Sequence, residues 1–175
     1  FSVDSLINIL ENNTNMFSND SLFVLPILVN NQQTNNKQDT EYTLNDTAID
    51  LINQGFTYMD NELYSESAKL FVEALTLNAS IMDFDYFIKL NFGDEKQQNE
   101  LYESFVYINE EDSTRGANFY LGVMDYQSED YTSAIFLFSE YQKYNSNDFN
   151  SIIGLGNIYF NQKLWTDALF YYYRA

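Results

Sequence analysis

Two groups of carboxylates are the side chains whose types and spacing could perform chemistry. Asp83 and Asp85 stand two positions apart, and Glu110, Glu111 and Asp112 are consecutive. Paired carboxylates can hydrolyse glycosides or bind a hard cation such as Ca²⁺. Both groups fall between helix-patterned stretches, where acidic residues commonly lie at helix N-termini and interact favourably with the helix dipole. We interpret them as helix-end charges and predict no catalytic residue and no metal site.

The residue types of most catalytic centres are missing from the sequence. The chain has no His and no Cys, so it lacks the usual catalytic triads, a thiol nucleophile and His- or Cys-based metal ligands. Gly154 and Gly156 form a Gly-x-Gly, but no strand precedes them and no third glycine follows at the dinucleotide-binding spacing. The sequence predicts a non-enzymatic protein that binds no cofactor.

An internal repeat organises the elements that carry these residues. Gly122 and Gly156 are 34 residues apart, each follows a Leu, and each precedes a small residue by twelve positions and an aromatic residue by sixteen. Apolar residues within each copy recur at spacings of three and four, which indicates helices. A period in this range is typical of stacked supersecondary units and not of one globular domain with a single active site.

The register continues towards the N-terminus. The aromatic position recurs in four copies: Phe71, Phe105, Phe138 and Tyr172. The glycine position holds Gly55, Gly122 and Gly156, but Lys89 replaces it in copy two, where Leu101 also replaces the small residue. Small residues let paired helices approach closely. We therefore predict that copy two packs its helix pair less tightly than the others.

The residues of copy four resemble the tetratricopeptide repeat: Ile152, Leu155, Gly156, Tyr159, Trp165, Ala168 and Tyr172. The resemblance covers residues 47–175. It implies an all-α fold, a right-handed α-solenoid of helix-turn-helix repeats. The four repeats would span 47–80, 81–114, 115–148 and 149–175, the last one truncated.

Copy one shows how each repeat should divide into helices. The pattern predicts one helix from Ala48 to Asp60, a break at Asn61-Glu62, and a second helix from Tyr64 to Leu77.

Two segments precede copy one in the sequence. Residues 1–31 fit the end of a preceding domain, a cap on the first repeat or a separate partner-binding peptide. Residues 32–46 begin with a polar stretch that lacks apolar side chains, which predicts a flexible linker.

In tetratricopeptide proteins the first helix of each repeat lines an inner groove, so the resemblance implies a partner-binding groove here. The matching positions are mostly apolar: Ile49, Ile52, Phe56, Met59, Tyr86, Leu90, Phe119, Val123, Tyr126, Ile153, Asn157 and Phe160. An exposed apolar strip usually marks a binding surface. This one would suit an extended peptide or an amphipathic helix with hydrophobic anchors. The alternative is that the N-terminal segment or neighbouring helices cover several of these side chains.

Charge restricts the class of partner. The formal net charge is -18, from 26 acidic residues against 8 Lys and Arg, which argues against nucleic acid and against an anionic membrane surface. It favours a cationic or neutral protein partner, although acidity can also serve solubility alone. The longest apolar run, residues 22–29, contains Pro26 and is shorter than the roughly 20 residues of a membrane span. With no signal segment in the visible chain, a cytoplasmic location is favoured.

These observations support a non-enzymatic scaffold or adaptor that binds a hydrophobic segment of another protein. The alternatives are a secretion-type chaperone for an aggregation-prone substrate and an envelope assembly component. Copy four stops inside its second helix, so Phe170, Tyr171 and Tyr173 should be partly exposed. We expect the natural protein to continue past this end or to self-associate through it.

Overall fold

The computed structural model describes residues 38–78, 84–111 and 116–175, with the backbone alone for 38–46 and 78. This part of the chain consists of helices and turns, which confirms the all-α prediction. Its helices are α1 (Gln38–Asp60), α2 (Tyr64–Asn78), α3 (Phe84–Ile88), α4 (Glu95–Glu111), α5 (Ala117–Gln127), α6 (Tyr131–Gln142), α7 (Phe149–Asn161) and α8 (Trp165–Arg174). No helix within these ranges combines the length and apolar character that crossing a membrane requires.

The first helix pair follows the predicted division. α1 ends at Asp60 and α2 begins at Tyr64, as the Asn61-Glu62 break indicates. The start of α1 differs, because the helix begins at Gln38 and takes in part of the predicted linker 32–46. Residues 38–46 contain neither Gly nor Pro, and extending an existing helix is far easier than nucleating one. The predicted segment 1–31 lies outside the described residues.

Three helix pairs turn in the same way at the same register. Glu62, Glu129 and Lys163 have positive φ angles of 59°, 63° and 62°, a left-handed conformation that is uncommon for residues other than glycine. The backbone N–H of each donates to the carbonyl three residues earlier, at 2.9, 3.1 and 2.9 Å respectively. The pairs α1–α2, α5–α6 and α7–α8 therefore share one turn geometry, which repeats at the period read from the sequence.

The repeated glycines allow close helix contact, as the sequence predicts. A methyl carbon on Gly55, Gly122 or Gly156 would come within 3.0, 2.9 or 2.5 Å of the aromatic ring sixteen residues later. The small residues of the paired helices are fully buried: Ser67, Ala134 and Ala168. In the first pair the Ser67 hydroxyl also donates to the Gly55 carbonyl at 2.8 Å. Each pair thus places a ring directly against the backbone of its partner helix.

The helices pack in an order that bypasses α3. α1 packs on α2, α2 on α4, α4 on α5, α5 on α6, α6 on α7, and α7 on α8. α3 packs instead against α5 and α7. A continuous hydrophobic core runs between these helices, and its largest fully buried side chains are Phe71, Phe84, Phe87, Phe105, Phe119, Tyr120 and Phe138.

Copy two departs from the predicted repeat over 81–114. Its first helix, α3, ends after five residues, and the Asn91 side chain then accepts a hydrogen bond from the backbone N–H of Gly93, whose φ is +85°. Asp94 and Gln97 begin α4 with reciprocal side-chain to backbone hydrogen bonds of 2.9 and 3.1 Å, a capping box. Copy two is therefore not the loosely packed helix pair that was predicted. Its short helix, α3, packs on α5 and α7, and its long helix, α4, packs between α2 and α5.

Candidate partner-binding site

Residues 84–92 lie across the first helices of the other three pairs. Phe84 contacts α7, Phe87 contacts α5, and Phe92 contacts α1. We name residues 84–92 the crossing segment, and the surface beneath it the α1–α5–α7 face. Because each phenylalanine reaches a different helix, one short stretch of chain connects three helix pairs that are distant in sequence.

The first of the three rings, Phe84, is buried between α5, α6 and α7. Its centroid lies 5.5 Å from that of Tyr126 and 5.9 Å from that of Phe138. A methyl carbon on Gly154 would lie 2.9 Å from the Phe84 ring, so the absence of a side chain there makes room for it. Gly154 therefore serves contact with the crossing segment, whereas Gly156 serves contact with α8.

Phe87 is fully buried against α5. Its ring meets the Phe119 ring edge to face at 4.8 Å and the Tyr120 ring at 6.0 Å, the arrangement that aromatic pairs favour. Tyr120 in turn stacks on Phe105 of α4 at 5.2 Å with an interplanar angle of 3°. Phe87 thus extends a ring cluster that also joins α4 to α5.

The backbone after α3 is held by one side chain of α5. The Gln127 amide nitrogen Nε2 donates to the carbonyls of Ile88 and Leu90, at 2.9 and 3.0 Å. The last carbonyls of a helix have no partner within the helix and need one elsewhere. Beyond this point Phe92 is buried beside Phe56 and Phe71, with centroid separations of 6.3 and 5.9 Å.

The twelve side chains predicted to line a groove are all at least half-buried. Four are buried: Ile52, Met59, Phe119 and Val123. Eight are half-buried: Ile49, Phe56, Tyr86, Leu90, Tyr126, Ile153, Asn157 and Phe160. The crossing segment includes Tyr86 and Leu90 and contacts Phe56, Phe119 and Tyr126. The α1–α5–α7 face is thus largely apolar, and much of it is covered by this chain's own residues.

The sequence did not indicate the residues that hold the crossing segment. Phe84, Phe87 and Phe92 lie inside a stretch predicted as an ordinary first helix, and Gln127 follows no repeated pattern. One available signal was Gly154, which has no glycine counterpart in the other copies. Turn-forming Asn and Gly between Leu90 and Asp94 were a second signal, because such residues interrupt a helix.

A small network of amide and phenol groups lies at the α7 side of the face. The Asn161 side-chain nitrogen donates to the hydroxyls of Tyr126 and Tyr131, at 3.1 and 3.3 Å. The Tyr172 hydroxyl donates to the Asn157 side-chain oxygen at 2.8 Å, and burial raises the pKa of Tyr172 well above its usual value. The Tyr172 phenol therefore stays protonated, and these hydrogen bonds orient the Asn157 and Asn161 side chains of α7.

Large aromatic side chains are also exposed away from this face. Phe136 of α6 and Phe170 of α8 occupy equivalent repeat positions and are each 62% exposed, and Tyr173 is 70% exposed. This confirms the expected exposure of Phe170 and Tyr173. Tyr171 is half-buried because its ring stacks on that of Tyr159 at 5.4 Å.

Asp125 is a nearly buried carboxylate at the contact between α4 and α5. It is 8% exposed, and the Tyr102 hydroxyl lies 3.4 Å from its Oδ2. Burial, and next the charge of Asp130, raise the pKa of Asp125 to about 6, while the Tyr102 hydrogen bond acts in the opposite direction. Burial and the Asp125 charge raise the pKa of Tyr102 to about 12. This helix contact contains a carboxyl group that titrates near neutral pH.

Replacing Asp125 by Asn should remove one pH-dependent contribution to stability. The pKa is higher in the folded state than the usual 3.8, so the protonated carboxyl stabilises the fold below about pH 4, and this is lost as pH rises through about 6. We expect Asp125→Asn to be more stable than wild type at pH 7, with a difference in Tm that shrinks as the pH is lowered. Thermal unfolding followed by circular dichroism measures this; a difference independent of pH would contradict it.

Of the two carboxylate groups in the sequence, Asp83 and Asp112 lie outside the described residues, and the remaining members lie on α3 and α4. Asp85, in the first turn of α3, pairs with Lys89. Glu110 and Glu111 lie at the C-terminal end of α4 and not at a helix N-terminus as expected, and Glu111 accepts a hydrogen bond from the Tyr107 hydroxyl at 2.8 Å. Within residues 38–78, 84–111 and 116–175, no cluster of carboxylates could hold a metal ion.

Comparison with known proteins offers no direct guide to function. No protein-family model matches the chain, and the search of curated proteins finds no match.

Proposed function

We propose that this protein is a non-enzymatic scaffold or adaptor whose α1–α5–α7 face binds an apolar segment of another protein. The observation that carries the proposal is the crossing segment itself. A stretch of nine residues lies on this face through three aromatic rings and two hydrogen bonds to its backbone. A face that accommodates such a stretch has the shape and chemistry for a partner segment of the same kind.

A tetratricopeptide-like solenoid is the architecture that we propose for this module. The shared turn at Glu62, Glu129 and Lys163 and the three glycine-to-ring contacts support it. Solenoids present extended surfaces built from equivalent positions of several repeats. A binding face that spans α1, α5 and α7 is a surface of this type.

Charge favours a cationic partner segment. With a net charge of -18, the protein attracts a basic segment over long distances, and salt screens this attraction. We therefore expect partner binding to weaken as the ionic strength rises, mainly through slower association.

Two matched substitutions test which surface binds the partner. Ile153 is half-buried on α7 beside Gly154, whereas Phe136 is exposed on α6. We expect Ile153→Gln to reduce capture of the specific partner by at least about tenfold, since it places an amide on the apolar face at a cost of more than about 1.4 kcal/mol. Phe136→Gln should leave capture unchanged. Capture from a cell extract is quantified by mass spectrometry against wild-type protein.

The controls make the result decisive. Both variants keep the net charge, so electrostatic attraction is the same, and circular dichroism confirms that each retains the wild-type helix content. Partners lost with Phe136→Gln but kept with Ile153→Gln would move the binding surface to the α6 side and refute the proposed face. Equal capture by all three proteins would do the same.

A further inference from the structure

The crossing segment is not needed to complete the sequence of packed helices. α2 packs directly on α4, and α4 packs directly on α5, so the helices that flank α3 in the chain meet without it. α3 contributes its contacts to α5 and α7 instead. The crossing segment therefore lies outside the α2–α4–α5 succession of packed helices, although its three phenylalanine side chains are buried in the core.

The crossing segment has the properties of a bound ligand that is covalently attached. A helix of five residues is far too short to be stable alone, so its conformation depends on the surface beneath it. Its anchors are Phe84, Phe87 and Phe92, spaced three and five residues apart. The surface supplies Gly154, whose lack of a side chain leaves space for the Phe84 ring, and Gln127, whose side-chain amide donates to backbone carbonyls of the segment.

We infer that the crossing segment is an intramolecular competitor for the α1–α5–α7 face, and that a partner segment with aromatic residues at the same spacing binds there by displacing it. The inference rests on the proposed function and names the partner's chemistry. The partner carries aromatic residues three and five positions apart and, given the net charge of -18, Lys or Arg beside them. In the crossing segment Asp85 pairs with Lys89, so the segment carries no net charge, and a cationic partner segment adds an attraction to the acidic protein that the crossing segment lacks.

Competition of this kind sets the apparent affinity. A partner binds only the fraction of molecules whose face is open, so its apparent dissociation constant is the intrinsic one divided by that fraction. Weakening the crossing segment should therefore tighten binding of a peptide, whereas fixing the segment in place should abolish it.

The first test supplies the crossing segment as a separate peptide. The probe is a fluorescently labelled peptide with the sequence of residues 84–92, and binding is measured by fluorescence anisotropy. We expect Phe84→Ala/Phe87→Ala to bind it at least about tenfold more tightly than wild type does, and a peptide with Ala at both positions not to bind. Equal binding by a folded double variant and wild type would overturn the inference.

The second test does not require the replacement of buried phenylalanines in the core. The chain has no Cys, so Leu90→Cys/Gln127→Cys introduces the only pair of thiols. The two residues are neighbours in the fold, because the Gln127 side-chain Nε2 lies 3.0 Å from the Leu90 carbonyl oxygen. A short bis-maleimide reagent joins them and ties the crossing segment to α5. We expect the linked form to lose peptide binding that the unlinked form shows. Binding by the linked form as strong as by the unlinked form would overturn the inference, even if Phe84→Ala/Phe87→Ala does not fold.

The same linked protein separates this inference from the proposed function. If the linked and unlinked forms capture the same partner equally well, and Ile153→Gln still reduces capture at least about tenfold, displacement is refuted and the proposed face stands. If Ile153→Gln has no effect on capture, the proposed face itself is refuted.

Discussion

Replacing Phe71 by Ala should lower the free energy of unfolding by about 3–5 kcal/mol, the range measured when a buried aromatic ring is removed. Phe71 is fully buried in α2. Its ring centroid lies 5.0 Å from that of Phe56, 5.7 Å from that of Tyr120 and 5.9 Å from that of Phe92. One side chain therefore links the first helix pair to α5 and to the crossing segment. Urea denaturation followed by circular dichroism measures the loss.

Phe136→Ala is the matched control for this change. The chemical change is the same, but Phe136 is 62% exposed, and surface substitutions usually alter stability by less than about 0.5 kcal/mol. If both variants lose the same stability, the ring cluster around Phe71 does not hold the helix pairs together in the way that the contacts indicate.

Gly122→Leu should lower the free energy of unfolding by about 3 kcal/mol, the upper part of the usual range for overpacking. Even a methyl carbon at Gly122 would lie 2.9–3.2 Å from three atoms of the Phe138 ring. Leucine has the better helix propensity, by somewhat less than about 1 kcal/mol, so the clash with the ring outweighs this gain. The same denaturation experiment gives the magnitude.

A double-mutant cycle identifies the cause of this loss. Phe138→Ala alone removes a buried ring and should cost about 3–5 kcal/mol. Combined with Gly122→Leu, however, the new side chain enters the space that the ring leaves, so the combined loss should fall short of the sum of the two single losses by about 1–3 kcal/mol. Strict additivity would show that the two residues do not compete for the same space.

The helix pairs could be predicted because they depend on local, repeated signals. Gly55 and Phe71 stand at the spacing that brings a ring against a backbone, and Asn61-Glu62 marks the turn between their helices. The glycine and the aromatic residue sixteen positions later recur at the same register in α5–α6 and α7–α8, so each copy supports the interpretation of the others. The start of α1 at Gln38 was missed because a polar composition does not by itself end a helix.

The path of the crossing segment could not be predicted in this way. It depends on Phe84 meeting Gly154 and on Gln127 reaching Ile88, contacts between copies that no periodic pattern encodes. The same contacts explain why Phe119 is buried and not open to a partner, since Phe87 covers it. The repeat pattern identifies equivalent positions in the copies. Whether such a position is exposed to a partner depends on which residues of copy two cover it.

The position of the crossing segment also determines when it can fold. Each helix pair closes between neighbours in sequence, and such local contacts form early, whereas Phe84 contacts Gly154 from a distant part of the chain. During synthesis the N-terminal part emerges first, so the three phenylalanines leave the ribosome before α7 exists. Their surface is complete only when the last pairs have formed. Phe84 therefore stays uncovered until α7 has formed, and this ring is a point at which a nascent chain would need protection from aggregation.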